Sequence, residues 1–119
     1  MKKTFTIRCH DRVLVVEDNP ERILWFREKL PRATLVRHPL LAIDALRARP
    51  FDVVMLDADL PCPQNLTGVD VAKCLVRSRF RGRVLIHSYN QRAVREMKRL
   101  LKDAMAYEFG DFEIMEARR

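Results

Sequence analysis

Residues Phe51 to Pro61 read FDVVMLDADLP. Val53-Val54-Met55-Leu56 is an unbroken apolar run that stops at Asp57, with Asp59 and Pro61 close behind. A short apolar run bounded by turn residues is the pattern of a strand buried on both faces, as in a parallel sheet. The run therefore places a carboxylate at the carboxyl end of an interior strand. One acidic ending carries little weight alone, so its meaning depends on whether the pattern recurs.

It does recur. Val13-Leu14-Val15-Val16 ends at Glu17-Asp18, and Val84-Leu85-Ile86 ends at His87-Ser88 with Asn90 following. Helical segments lie between these runs. Asn19-Pro20-Glu21 opens the first, with Asn19 as N-cap and Pro20 at the first helical position; Ile23, Phe26 and Leu30 recur on its inner face, and Pro31 stops it. Ala33–Arg37 reads as a second strand, and Leu40, Leu41, Ala45 and Leu46 mark a second helix ending before Pro50. A third helix starts near Thr67 or Gly68 and carries Val69, Ala72, Leu75 and Val76. A fourth runs from about Gln91 to Ala104, with Val94, Met97, Leu100 and Leu101 inward. Ala106–Phe109 is a fifth strand closed by Gly110, and the tail from Asp111 is expected to make two helical turns at most. Thr4–Ile7 alternates like a strand without a place in this scheme.

Strands alternating with helices predict an α/β fold: a flavodoxin-like, doubly wound five-stranded parallel sheet of order 2-1-3-4-5, its last helix truncated or missing. The 119 residues suit one domain, with a core over about 12–110 and a short tail over 111–119. No apolar run approaches the roughly 20 residues of a membrane span, and the basic N-terminus lacks the apolar centre of a signal peptide. Cys9, Cys62 and Cys74 are odd in number and form no paired motif, so free thiols in the cytoplasm are expected. The net charge is +7, with cationic runs at 77–83 and 92–102. These fit solvated faces, or a surface for an anionic partner such as nucleic acid or an acidic protein.

In the 2-1-3-4-5 order, strands one, three and four are neighbours about 4.8 Å apart, and ligands bind beyond their carboxyl ends. Glu17, Asp18, Asp57, Asp59, His87, Ser88 and Asn90 should then lie within roughly 10 Å of one another. Carboxylates held so closely repel unless a cation sits among them, and Mg²⁺ (or Mn²⁺) suits a few carboxylates with water and a phosphate. Glu17, Asp18 and Asp57 are the expected metal ligands. Asp57, Asp59, His87 and Ser88 are candidates for phosphoryl chemistry, and Asn90 for ligand binding. Three have a plainer alternative: Asp59 as a turn residue, His87 as a satisfied buried histidine, Ser88 as a loop hydrogen-bonder; Asp57, directly after a buried run, is the hardest to explain that way.

VLVVEDNPE, FDVVMLDADLP and the Ser88 that follows the fourth strand resemble the receiver domain of bacterial response regulators over about Arg12 to Phe109. The resemblance implies Mg²⁺ at Glu17, Asp18 and Asp57, with Asp57 as phosphoacceptor and Ser88 as the hydroxyl residue. The chain departs from that pattern where Tyr107-Glu108-Phe109-Gly110 offers no lysine, and where the 61–68 loop is long. LDADL, TGVDVAKCL and IHSYNQRAVREMKRLL are similar to a narrower group, the cyclic-phosphate-processing receivers. Those usually hold a histidine between the two aspartates, where this chain has Ala58.

The resulting expectation is a stand-alone receiver-like domain that binds a divalent cation and engages a cyclic phosphate, a phosphate ester or a nucleic-acid end. If it is an enzyme, it is a metal-dependent phosphoesterase in which water attacks phosphorus and His87 serves as general acid or base. The alternatives are a phospho-aspartate signalling receiver, or a non-catalytic basic module for nucleic acid or a protein regulator.

Overall fold

The computed structural model describes residues 2–60 and 66–117. The first part of the 61–68 loop, Cys62 with it, lies outside the described residues. In chain order the elements are β1 (Lys3–Arg8), β2 (Val13–Val16), α1 (Pro20–Lys29), β3 (Thr34–Val36), α2 (Pro39–Ala48), β4 (Val53–Asp57), α3 (Gly68–Arg77), β5 (Arg83–His87), α4 (Gln91–Leu100), β6 (Met105–Tyr107) and β7 (Phe112–Ala117).

The apolar runs quoted above become the interior of a five-stranded parallel sheet ordered β3-β2-β4-β5-β6. This is the expected 2-1-3-4-5 order, counted over the five core strands. The residues of β2 and β4 are all buried, because helices and a further strand pair cover both faces. On one face Leu14, Val16, Val54, Leu56 and Ile86 pack with Ala42 of α2, Val71, Ala72 and Leu75 of α3 and Met97 of α4. On the other, Val13, Val15, Val53, Met55 and Leu85 pack with Phe26 and Leu30 and with Phe5, Ile7 and Phe112.

That second face holds the main departure from the expected fold. The described part of the tail is a strand rather than helical turns: β7 pairs in parallel with β1, from Lys3 opposite Phe112 to Arg8 opposite Ala117. The Thr4–Ile7 alternation, unplaced in the sequence, belongs to this two-stranded ribbon. Phe5, Ile7 and Phe112 are the buried residues that seal it to the sheet. Gly110, at φ 99°, makes the turn that admits β7, with the Asp111 N–H donating to the Glu108 carbonyl at 3.0 Å. The ribbon covers the sheet face that a final helix would otherwise cover.

The helix starts follow their caps. The Asn19 side chain accepts from the N–H groups of Glu21 and Arg22, and Thr67 and Asp70 close a reciprocal capping box on α3. The fourth helix stops at Leu100, short of the expected Ala104; Leu101 leaves helical geometry and Lys98 Nζ donates to the Ala104 carbonyl.

Candidate metal centre

The carboxyl ends of β2, β4 and β5 meet at one rim. Val16 pairs with Leu56, and Asp57 pairs with His87, so Glu17, Asp57 and His87 follow one another across three adjacent strands. Side chains alternate along a strand. These three therefore point to the same face as Val15, Met55 and Leu85, toward Phe26 and the β1–β7 ribbon. One carboxylate oxygen each from Glu17, Asp18 and Asp57 lie within 4.8 Å of one another.

Glu17 is completely buried. Its Oε2 accepts from the N–H groups of Asp18 and Asn19 at 3.0 and 3.1 Å, while Oε1 lies 2.9 Å from His87 Nε2 and 3.7 Å from Arg22 Nη1. Burial pushes this carboxyl upward, but the His87 hydrogen bond and the backbone donors outweigh it and hold the pKa at about 2. His87 is equally buried, and burial pushes its pKa down. The ring is therefore neutral, and we assign the tautomer that donates Nε2–H to Glu17. Its Nδ1 has no hydrogen-bond partner among the described residues, and the ring lies against Phe26, Phe109 and Phe112, with centroids 5.1, 6.2 and 6.4 Å away.

Asp57 behaves oppositely. Burial and the charge of Glu17 raise it to about 8, against the pull of the Asp59 N–H, which donates to Oδ1 at 2.9 Å. Asp18 is also raised, by burial, then by Glu17, with Asp59 adding to it and Arg37 opposing it. A proton retained on a carboxyl at neutral pH marks a place where positive charge is favoured. Three carboxylates as hard oxygen donors in that place could hold a divalent cation.

The other expected site residues divide. Asp59 is exposed at the rim beside Asp18. Ser88 is buried; its Oγ accepts from the Asn90 N–H at 3.0 Å, which leaves its own hydroxyl proton free to donate. Asn90 caps α4, its Oδ1 taken by the Ala93 N–H at 3.1 Å, so only its amide nitrogen is free for a ligand. His87 differs from the expected acid or base: both its nitrogens are turned away from solvent, and the geometry makes it the residue that positions Glu17. Ala58, between the two aspartates, is 2% exposed and faces the α2–α3 core rather than the acidic cluster.

The sequence reading missed Arg22, Tyr89 and Phe109. Arg22 comes from the first turn of α1, and its guanidinium carbon sits 5.3 Å from the Tyr89 ring centre and 5.0 Å from that of Phe109. An arginine five residues after Glu17 carries no motif; its reach depends on how α1 crosses the sheet.

This fold matches that of solved receiver domains. The response regulator protein TrrA from Thermotoga maritima, solved in complex with Mg²⁺-BeF, superposes with TM-score 0.68 at 18% identity, covering 83% of this chain and 88% of that one. The receiver domain of a sensor histidine kinase from Pseudomonas aeruginosa, solved with magnesium in its active-site cleft, gives 0.64 at 23%, covering 83% and 84%. A CheY-like receiver domain from Methylobacillus flagellatus gives 0.61 at 21%, covering 92% and 86%. No curated protein sequence matches the chain. A family profile decides the matter more narrowly: through residues 12–103 the chain belongs to the family described as the cyclic-phosphate processing receiver domain. It is a receiver domain with an acidic cluster that could bind a metal. Among the described residues, no helix is long and apolar enough to cross a membrane.

Proposed function

We propose that this receiver domain binds Mg²⁺ (or Mn²⁺) at Glu17, Asp18 and Asp57 and engages a phosphate ester or cyclic phosphate, such as a nucleotide-derived one, at the same rim. The observation that supports it is the meeting of three carboxylates within 4.8 Å, one of them, Asp57, held protonated by burial and by the charge of Glu17. Asp18 and Asp57 present oxygens at the rim, and Glu17 adds its charge from beneath, fixed by His87. The cation would neutralise phosphate oxygens and polarise phosphorus. Ser88 would donate its hydroxyl proton to a phosphate oxygen, and Asp59 would accept a proton from an attacking water. Titration with Mn²⁺, followed by incubation with a 2′,3′-cyclic nucleotide, tests both halves. Wild-type protein should bind the metal and open the ring, and Asp57→Asn should do neither. Metal binding without ring opening would reduce the reading to a binding domain.

A second reading is favoured by one detail. The Asp59 N–H donates to Oδ1 of Asp57 at 2.9 Å, which would orient the carboxyl to accept a phosphoryl group on its other oxygen, as a signalling receiver would. A small-molecule phosphodonor should then add one phosphoryl mass to the wild type and none to Asp57→Asn. The basic surface of α4, with Arg92, Arg95 and Arg99 exposed, would serve an anionic partner in either case.

A further inference from the structure

We propose that Arg22 is the anion-binding residue of this site, and that a phosphate held at the acidic rim is gripped between the cation and the Arg22 guanidinium. The inference rests on the reading of the rim as a metal–phosphate site and adds the residue that makes a phosphate welcome there. Three carboxylates with one divalent cation leave a net negative charge, so an incoming phosphate dianion meets repulsion unless further positive charge faces it. Among the described residues, two arginines act on the cluster. Arg37 is exposed and acts on Asp18. Arg22 is the inner one: its side chain is 20% exposed, it pairs with Glu17 at 3.7 Å, and its charge acts on both Asp57 and His87.

The guanidinium is held in a way that leaves its donors free. Tyr89 and Phe109 present their rings to it, and the Tyr89 hydroxyl donates to the Phe109 carbonyl at 2.6 Å, which ties the two rings together. Stacking on aromatic faces fixes the plane of an arginine without consuming its N–H groups. The Glu17 contact is longer than a hydrogen bond, and the Arg22 side chain makes no hydrogen bond to any described residue. A buried structural arginine would have its donors occupied. A preoriented guanidinium with a free fork, set beside a cluster of carboxylates, matches the bidentate recognition of phosphate oxygens.

The test separates this inference from the reading beneath it. Mn²⁺ affinity is measured first, then beryllofluoride and inorganic phosphate affinity at saturating Mn²⁺, for the wild type, Arg22→Met, Arg22→Lys and Tyr89→Leu. Arg22→Met should keep the Mn²⁺ affinity, or raise it slightly because a competing cation is gone, and should lose about tenfold or more in affinity for both anions. Arg22→Lys should recover part of that loss by charge alone, and Tyr89→Leu, at an exposed ring, should show a smaller loss of the same kind. Equal anion affinity in wild type and Arg22→Met, with Mn²⁺ bound in both, overturns the role of Arg22 and leaves the metal site standing. A wild type that binds Mn²⁺ but neither anion, or no Mn²⁺ at all, overturns both.

Discussion

His87 Nε2 lies 2.9 Å from Glu17 Oε1, and neither side chain touches solvent. The histidine is neutral and the glutamate ionised, so one charge is buried against a ring donor, two backbone N–H groups, the protonated Asp57 carboxyl and a distant arginine. This pair contributes to the electrostatics of the rim: Asp57 keeps its proton through its own burial first, and the fixed charge of Glu17 adds to that.

Replacing the donor should be costly. His87→Phe fits the aromatic surroundings in shape but strips the Glu17 carboxylate of its shortest side-chain hydrogen bond. A loss of roughly 3 kcal/mol is expected, from the usual penalty for breaking one side of a buried charged contact. Urea unfolding measures it, and Glu17→Gln combined with His87→Phe should recover much of the loss. If the double variant is no more stable than His87→Phe alone, the coupling assigned here is wrong.

Asp57 predicts a pH dependence of opposite sign to that of an ordinary carboxylate. Its folded value of about 8 lies above the unfolded value, so the unfolded chain binds fewer protons between about pH 4 and pH 8. Metal-free stability should therefore fall as pH rises through that window, by up to about 1.4 kcal/mol per unit. Glu17, held at about 2, contributes stability that is present above its unfolded value and is lost only as pH falls toward 2. Thermal melting in a chelator from pH 4.5 to 8.5 should show the decline in wild type and a flatter profile in Asp57→Asn. Mg²⁺ should raise the melting temperature most at the alkaline end, where no proton has to be displaced.

Gly68 sets the approach of α3 to the end of β4. A Cβ there would meet the Asp57 carbonyl oxygen at 2.5 Å and the Ala58 Cα at 3.0 Å, both backbone atoms that cannot rotate away. Gly68→Ala should cost about 1–3 kcal/mol through forced displacement and should also weaken Mn²⁺ binding, because the atoms it pushes carry Asp57. Stability lost with metal affinity intact would mean that α3 alone moves.

The β1–β7 ribbon predicts that the tail is structural. A chain ending at Gly110 loses the strand that pairs with β1 and uncovers Phe5, Ile7 and the Val15–Met55–Leu85 face. Phe112 alone is 1% exposed, and its burial contributes about 1.5–3 kcal/mol. The shortened chain should bind an apolar dye and melt well below the full one. Unchanged melting would show that the ribbon adds nothing to the core.

Much of this architecture is written locally. Asn19 and Thr67 announce helix starts by chemistry that acts over two or three residues, and the runs ending at Glu17, Asp57 and His87 mark their strands without reference to anything distant. Because each run stops at a polar residue on the carboxyl side, the parallel order alone brings the acids to one rim. The tail was misread for the converse reason. The alternation of Phe112 and Ile114 is too short to distinguish a strand from irregular chain, and its partner, β1, lies more than a hundred residues away in sequence.

The roles within the rim required three dimensions. Runs such as VVML are buried on both faces and lack the polar alternation that would tell which way the next residue points, so nothing in HSYN says that His87 turns inward to phenyl rings while Ser88 keeps a free proton. Arg22 was invisible for a similar reason: a guanidinium is committed by what surrounds it, and Tyr89 and Phe109 come from two loops that only the folded sheet sets side by side. Chain order specifies which elements form and where each ends; side-chain direction and long-range pairing are settled by packing, where the cost of burying charge selects a single arrangement.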